Sequence, residues 1–186
     1  MKSSLFSGIR LTLMLLVFFV GIYTTLVYAL AQLGPNQGKG EIVQANGKVF
    51  YANIGQKFDR DDYFHSRPSA VDYNAAGSAG SNKAPSNEAY LQTIKDRMTT
   101  FLAHNPGIQT KDIPAELLTA SGSGLDPDIS VAAATVQIKR IAKSRNIPEA
   151  NLKQLILSCT EAPLGGFLGP EKINVLTLNI ALDELK

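Results

Sequence analysis

An apolar stretch near the N-terminus constrains this chain more than any other feature of its sequence. Residues 11–33, LTLMLLVFFVGIYTTLVYALAQL, contain no charged side chain. A helix of about 20 such residues is long enough to cross the hydrocarbon core of a bilayer. The helical form is required there because it satisfies every backbone polar group within the segment itself. The sequence therefore predicts a membrane-spanning helix over residues 11–33.

The charges that precede this stretch predict how the helix is oriented. Lys2 and Arg10 both lie in the short N-terminal segment, and basic flanking residues tend to stay on the cytoplasmic side. We therefore expect residues 1–10 in the cytoplasm and the helix in the inner or plasma membrane. The rest of the chain is then expected on the extracytoplasmic side.

A cleaved signal peptide is the alternative interpretation of the same stretch. The N-terminal segment is basic, and Ala29-Leu30-Ala31 resembles a small-x-small cleavage site. The apolar run is longer than the roughly 7–15 residues usual in signal peptides, which favours an uncleaved anchor. Cleavage after Ala31 would instead release a secreted soluble hydrolase or binding protein.

Composition argues against several classes of partner. The formal net charge is +2 and the basic residues are scattered along the chain, so the sequence lacks the basic stripe typical of nucleic-acid binding. Cys159 is the only cysteine and there are only two histidines, which leaves no internal disulfide and makes a Cys/His zinc cluster hard to assemble. We predict no nucleic-acid partner and no metal site, and we expect Cys159 to be buried as a small apolar residue.

The chain after the helix has the pattern of one α+β domain over residues 41–186, preceded by a linker. Residues 34–40, GPNQGKG, are rich in Gly and polar residues and predict that linker. Asn46-Gly47 lies between two short apolar runs and predicts a β-hairpin. Residues 75–87, AAGSAGSNKAPSN, predict a loop because such small side chains bury little surface.

The remaining pattern predicts three helices and one strand. They are, in chain order, a helix capped by Ser86 or Asn87 and ended by Asn105-Pro106-Gly107, a helix from Ser130 to about Arg145, a helix after Pro148, and a strand over residues 173–182. The strand is predicted from the alternation in INVLTLNIAL, which places Thr177 and Asn179 on its polar face. Helices and strands without regular βαβ alternation indicate the α+β class.

Residues 63–69, YFHSRPS, form the first of two polar clusters that are candidate functional segments. Arg67 either binds a carboxylate on a partner or bonds backbone carbonyls within the domain. We expect His65 to be a packed or surface histidine, because no Ser, Cys or second His is arranged with it in the sequence. The common phosphate-binding, nucleophile-elbow, zinc-helix and Cys-x-x-Cys motifs do not occur in the sequence. We therefore predict a chain that is not an enzyme.

The second cluster, residues 121–130, reads SGSGLDPDIS and carries Asp126 and Asp128. Its carboxylates suit a cation, and backbone N–H groups at a helix start suit an anion. The interpretation we favour is a turn followed by a helix that Ser130 caps and whose positive end Asp128 complements.

Taken in order, these segments resemble the C subunit family of Kdp-type potassium-transporting ATPases. The resemblance is carried by YFHSRPSA (63–70), YNAAGSAGSN (73–82), ASGSGLDPDIS (120–130), VQIKRIA (136–142) and NVLTLNIALD (174–183), which together with the N-terminal helix cover nearly the whole chain. It implies a non-catalytic accessory subunit that assembles or stabilises a high-affinity, ATP-driven potassium uptake complex. The implied partners are a potassium-channel-like subunit, an ATP-hydrolysing subunit and the lipid bilayer. ATP is the one cofactor that the resemblance suggests, and no motif in the sequence supports its binding.

The matching segments contain seven candidate partner-contact or structural residues. They are Arg67, Ser69, Asn82, Ser121, Ser123, Asp126 and Asp128. The chain departs from the family pattern at Lys83-Ala84, where the family often has Leu-Gly, and at Asp128, where His is common. These departures bear on the detailed roles of those positions and not on the resemblance of the chain as a whole.

Overall fold

The computed structural model of this protein describes residues 2–34 and 36–185. Met1, Pro35 and Lys186, which belong to the predicted N-terminal segment, linker and domain, lie outside the described residues. The chain divides into two compact units between Tyr51 and Ala52.

One continuous helix begins the N-terminal unit. It consists of α1 (Lys2–Leu16), a π-helical turn (Val17–Tyr23) and α2 (Thr24–Gln32). Large apolar side chains along it are exposed, and the part Ser4–Gln32 is long and apolar enough to cross a membrane, a property that signal sequences share. A helix over the predicted stretch is confirmed, although it begins earlier and ends at Gln32.

The predicted β-hairpin completes this unit. Strands β1 (Ile42–Ala45) and β2 (Lys48–Tyr51) pair antiparallel. The turn residues Asn46 and Gly47 have φ values of +51° and +72°. Both residue types tolerate this left-handed backbone, which the tight two-residue turn requires.

The C-terminal unit is mainly helical, with one small sheet. Its elements are α3 (Glu88–His104), 3-10 turns at Thr110–Asp112 and Ala115–Leu117, β3 (Asp128–Ile129), α4 (Val131–Thr135), α5 (Ile138–Arg145), α6 (Glu149–Cys159), β4 (Ile173–Asn174) and α7 (Val175–Glu184). Strands β3 and β4 pair antiparallel. The helices and two-stranded sheets among the described residues fit the predicted α+β class.

Helix α3 and the loop before it follow the prediction. The Asn87 side chain accepts a hydrogen bond from the Tyr90 N–H at 2.9 Å, which caps the helix start. At the other end, Asn105 leaves helical backbone and Gly107 has a φ of +93°. Residues 75–87 form turns and loop without a helix or strand.

The predicted helix from Ser130 to about Arg145 is broken into α4 and α5. Ser130 caps the start as predicted, accepting from the Ala133 N–H at 3.1 Å. The Gln137 side chain then donates to the Ala133 carbonyl at 3.0 Å, while the Gln137 N–H bonds to the Ala134 carbonyl. The side chain thus takes the carbonyl that the backbone would use in an unbroken α-helix.

The strand predicted over residues 173–182 is wrong for most of its length. Only Ile173–Asn174 is strand, and Val175–Glu184 is helix α7. The Asn174 side chain accepts from the Thr177 N–H at 3.1 Å and caps α7. Val175, Leu178 and Leu182 are buried, a spacing that lies on one helix face even though the leucines also alternate.

The core of the C-terminal unit lies between its helices and the segment before α3. Its fully buried side chains include Phe64, Ile141, Leu152, Leu178 and Leu182. Cys159 packs against this core but is only partly buried, so the expected full burial is not reached.

Candidate functional site

The two polar clusters contact each other through residues 66–73 and 121–128. We call these two segments together the motif junction. Arg67 Nη1 donates to Asp126 Oδ2 at 2.7 Å, and the two side chains are 24% and 28% exposed. Ser69 Oγ donates to the Gly124 carbonyl at 2.6 Å. The carboxylate that Arg67 binds therefore belongs to its own domain.

Ser69 and Tyr73 shape the first side of the motif junction. The Ser69 hydroxyl accepts from the N–H groups of Val71 at 3.2 Å and Tyr73 at 2.9 Å. The Tyr73 hydroxyl donates to the Arg67 carbonyl. Burial raises the pKa of Tyr73 to about 12, so the hydroxyl stays protonated and keeps this bond at neutral pH.

Hydrogen bonds between side chains and nearby backbone N–H groups shape the second side of the motif junction, residues 121–128. Ser121 Oγ accepts from the Gly124 N–H at 2.9 Å, and Ser123 Oγ accepts from the Leu125 N–H at 3.1 Å. Asp126 Oδ1 accepts from the Asp128 N–H at 3.1 Å. These bonds fold the segment into a fixed series of turns.

Gly124 is the tightest point of the motif junction. Its φ is +68°, and a Cβ there would lie 2.7 Å from Val71 Cγ2 and 2.8 Å from the Ala79 carbonyl oxygen. Only glycine fits such a position without displacing its neighbours.

The side chains of Asp128 and Asn82 take no part in these contacts. Asp128 Oδ2 binds Lys172 Nζ at 2.7 Å, so this carboxylate is engaged by a lysine beside the sheet. Its Oδ1 is buried and has no hydrogen-bond partner among the described residues. Asn82 is exposed in the loop before α3, with a φ of +50°.

A cleft of 540 Å³ opens beside the motif junction. Arg67, Ser69 and Tyr73 line it together with Thr93 and Arg97 of α3. The Arg67 Nε is buried and lacks a hydrogen-bond partner within residues 2–34 and 36–185. The rest of the lining combines apolar side chains with charged side chains of both signs, among them Lys57, Asp72 and Asp96.

A buried polar network next to the cleft was missed by the sequence reasoning. Arg140 is its centre: Nε donates to Asn105 Oδ1 at 3.1 Å and Nη2 donates to Gln137 Oε1 at 2.7 Å. Nη1 donates to the carbonyls of Asp61 at 2.5 Å and Tyr63 at 3.0 Å. Burial lowers the pKa of Arg140 to about 10, which still leaves the guanidinium charged at neutral pH.

Two amide side chains complete this network by pairing with the backbone of residues 64 and 65. Asn179 accepts from the Phe64 N–H and donates to the Phe64 carbonyl, both at 2.9 Å. Gln137 accepts from the His65 N–H at 2.8 Å and donates to the His65 carbonyl at 3.2 Å. The two amides thus pair with the buried backbone N–H and carbonyl groups, as the backbone of a neighbouring β-strand would.

A sequence signal for the network exists at helical spacing. Gln137 lies three residues before Arg140 and four before the buried Ile141, so these residues fall on one side of a helix that is otherwise apolar. Polar residues on such a face need partners inside the domain. Asn179 gives no such signal, because the alternating pattern of residues 173–182 predicts a strand with Asn179 on its polar face.

His65 lies beside the Arg140 network and has a strongly shifted pKa. Burial, followed by the charge of Arg140, lowers its pKa to about 4. Its Nε2 donates to the Arg60 carbonyl at 3.0 Å. The ring is packed and hydrogen-bonded, in agreement with the expected structural role.

Comparison with known proteins decides the family. The family described as KdpC, the K⁺-transporting ATPase c chain, matches residues 5–184. The chain belongs to the KdpC family. Among similar proteins, the potassium-transporting ATPase KdpC subunit of Flavobacterium johnsoniae is 53% identical over 98% of this chain and 99% of its own length. The subunit of Bacteroides fragilis is 47% identical over 98% of both chains, and that of Rhodopseudomonas palustris is 41% identical over 89% of this chain and 92% of its own.

Membership in the KdpC family fixes the general role. This chain is a non-catalytic accessory subunit of the multi-subunit Kdp K⁺-transporting ATPase. Its N-terminal helix suits membrane association. The alternative of a secreted hydrolase or binding protein finds no support in these relatives. Among the described residues no group of His, Cys, Asp or Glu side chains is arranged to hold a metal ion.

Proposed function

We propose that this chain is held in the inner or plasma membrane by an uncleaved helix, with residues 1–10 in the cytoplasm and the domain of residues 41–186 outside. Lys2 and Arg10 support this orientation because basic flanks stay on the cytoplasmic side. The uncharged apolar run over residues 11–29 supports the anchor because it is longer than the roughly 7–15-residue apolar core of a signal peptide.

The exported domain then acts by contact, bracing the assembled pump against its potassium-channel-like and ATP-hydrolysing subunits. The observation that carries this proposal is the motif junction, in which Arg67, Ser69 and Asp126 bind within the domain rather than facing a substrate. A domain whose polar motifs are used to hold its own loops in place offers partners a rigid surface. Rigid surfaces bind with a smaller loss of conformational entropy.

The candidate residues divide into two groups under this proposal. Structural roles within the domain fall to Arg67, Ser69, Ser121, Ser123, Asp126 and Asp128. Asn82 lies beside Lys83 in an exposed loop and is a candidate partner contact.

Nucleotide binding by the cleft is a weaker candidate function. Its cations are already engaged: Arg67 with Asp126, Lys57 with Asp72 at 2.8 Å, and Arg97 with the Leu118 carbonyl at 2.9 Å. A phosphate group would have to displace these partners. We therefore do not assign ATP as a ligand, and saturable ATP binding by the purified full chain would reverse that judgement.

Accessibility labelling tests the proposed topology. In a Cys159→Ser background, a cysteine introduced by Lys83→Cys or by Ser4→Cys is exposed to a membrane-impermeant maleimide on spheroplasts. We expect Lys83→Cys to be labelled in intact spheroplasts and Ser4→Cys only after permeabilisation. Labelling in the reverse order would contradict the orientation. Release of the chain by a carbonate wash, or a mature N-terminus at Gln32, would contradict the anchor.

A further inference from the structure

The segment between α6 and β4 carries a cluster of exposed apolar side chains. Residues 162–170, APLGGFLGP, contain no charge, and we call them the hairpin tip. Leu164, Phe167 and Leu168 are 76%, 79% and 56% exposed. Single exposed apolar side chains are common on protein surfaces, whereas several together in a short segment mark an interaction surface.

Backbone hydrogen bonds hold the hairpin tip in one conformation. The N–H of Leu164 donates to the Leu168 carbonyl at 3.1 Å, and the reverse bond measures 3.0 Å. Gly165 and Gly166 make the turn with φ values of +65° and +83°, and the Gly166 N–H donates to the Pro163 carbonyl at 2.8 Å. The apolar side chains are thus presented on a closed turn, which limits the entropy lost on binding.

The base of the hairpin tip is fixed in the same way. Glu161 and Lys172 exchange backbone hydrogen bonds of 2.8 and 3.2 Å. Lys172 Nζ binds Asp128 Oδ2 at 2.7 Å and Glu161 Oε2 at 3.4 Å. The base therefore joins the tip to the sheet formed by β3 and β4.

The charges around the tip favour a protein partner over a lipid surface. Glu161 and Glu171 flank the tip in sequence, and Lys172, the cation at the base, is already shared between two carboxylates. The charged side chains that flank the tip and its base are therefore mostly acidic, three carboxylates to one lysine. Anionic lipid headgroups repel an acidic rim, whereas a protein pocket with an apolar floor and a basic edge complements it.

We propose that the hairpin tip inserts Leu164, Phe167 and Leu168 into an apolar pocket with a basic rim on another subunit of the potassium-transporting ATPase. The inference rests on the proposed function, because it takes the chain to be assembled in that complex. Phe167 is the central anchor, since buried aromatic side chains dominate the energetics of interfaces.

Site-specific photocrosslinking in the full complex tests the proposal. Phe167→p-benzoylphenylalanine is introduced into the full chain, expressed with the other subunits in native membranes and irradiated before purification. The matched control is Leu157→p-benzoylphenylalanine on α6, a position that is 64% exposed. We expect a covalent adduct with one partner subunit from position 167 and none from position 157.

A triple variant provides an independent measurement. We expect Leu164→Ser, Phe167→Ser and Leu168→Ser together to reduce the chain recovered with the complex at least tenfold, while the thermal midpoint of the isolated chain in detergent stays unchanged. Leu157→Ser should change neither quantity.

The outcomes distinguish a failure of the hairpin-tip inference from a failure of the proposed function. If the wild-type chain co-purifies with the complex but position 167 crosslinks only to lipid or to nothing, the hairpin-tip inference is overturned and the proposed function stands. If the wild-type chain is absent from the complex, the proposed function fails and the inference fails with it. Unchanged recovery of the triple variant would also overturn the inference.

Discussion

Arg140 is the side chain on which the packing of residues 60–65 depends most. It is buried, charged and bonded to backbone carbonyls of Asp61 and Tyr63 as well as to two side chains. We expect Arg140→Ala to lower the free energy of unfolding by about 3 kcal/mol or more, because it leaves several buried acceptors unpaired. Urea denaturation of the detergent-solubilised chain measures this.

The neighbouring Lys139, which is exposed, is the control for this substitution. We expect Lys139→Ala to change the unfolding free energy by less than about 0.5 kcal/mol. Arg140→Lys should restore little of the loss, because an ammonium cannot reproduce the planar set of donors that Arg140 uses. Equal stability of Arg140→Ala and Lys139→Ala would show that the network does not hold the segment.

Arg67 contributes through one ion pair rather than a network. Its partner Asp126 is partly shielded from solvent, so we expect Arg67→Ala to cost about 1.5–3 kcal/mol of stability. Lys83→Ala, in the exposed loop, should cost almost nothing. Thermal denaturation and recovery of the complex from membranes both report the difference, and equal, negligible effects of the two substitutions would count against the role given to Arg67.

His65 makes the stability of the domain depend on pH. Its pKa in the folded chain is about 4, below the ordinary value of 6.5. Above pH 6.5 the ring is neutral in both states. Between pH 6.5 and 4 the unfolded chain binds a proton that the folded chain does not, so stability falls as the pH falls. The loss near pH 4 should be about 2 kcal/mol, less than the full pKa difference gives because the ring keeps some contact with solvent.

Denaturation midpoints between pH 7 and 4.5 test this dependence. His65→Gln should flatten the acid side of the profile, because it removes the group that titrates. Lys83→Gln, in the exposed loop, should leave the slope in place and serves as the control. An unchanged slope in His65→Gln would assign the pH dependence to other groups.

At the scale of the structural element, the two loops of the motif junction pack most closely at Gly124. The φ of +68° and the 2.7 Å distance that an added Cβ would have to Val71 Cγ2 exclude a side chain there. We expect Gly124→Ala to destabilise the domain by about 2 kcal/mol or more, from backbone strain and the clash combined.

The control for Gly124 is Gly77, another loop glycine, whose added Cβ would meet nothing within 4 Å. We expect Gly77→Ala to be neutral or slightly stabilising. Differential scanning calorimetry of both variants separates a specific requirement for glycine from a general need for loop flexibility. A stable Gly124→Ala variant would contradict this close packing.

Elements whose ends are determined by residues close by in the sequence were predictable. The hairpin at Asn46-Gly47 and the start of α3 at Asn87 depend on turn and cap residues, and both are confirmed. Helix α7 was not predictable in the same way. Its leucines fit both a strand and a helix pattern, and the Asn174 cap together with packing against α6 decides for the helix.

For the candidate site, the sequence predicted which residues are involved but not which of them contact one another. The sequence marked Arg67 and Asp126 as chemically notable, but their pairing joins residues 59 positions apart. The break at Gln137 likewise depends on the backbone of His65, which is 72 positions away. Contacts of this kind arise from tertiary packing, so no local pattern contains them.

At the scale of the whole molecule, the chain combines a membrane-compatible helix with a folded domain whose polar motifs hold its own loops in place. Such a subunit changes the activity of a complex by binding the assembled state more strongly than the separated subunits. Removing it should therefore lower both the amount of intact complex and its turnover.

Potassium-stimulated phosphate release from membranes with and without this chain tests that claim most directly, with recovery of the other subunits as one complex measured on the same samples. We expect the purified chain to release no phosphate from ATP. We also expect its omission to abolish most of the potassium-stimulated activity and to reduce recovery of the complex. Full activity without the chain, or ATP hydrolysis by the chain alone, would contradict the account.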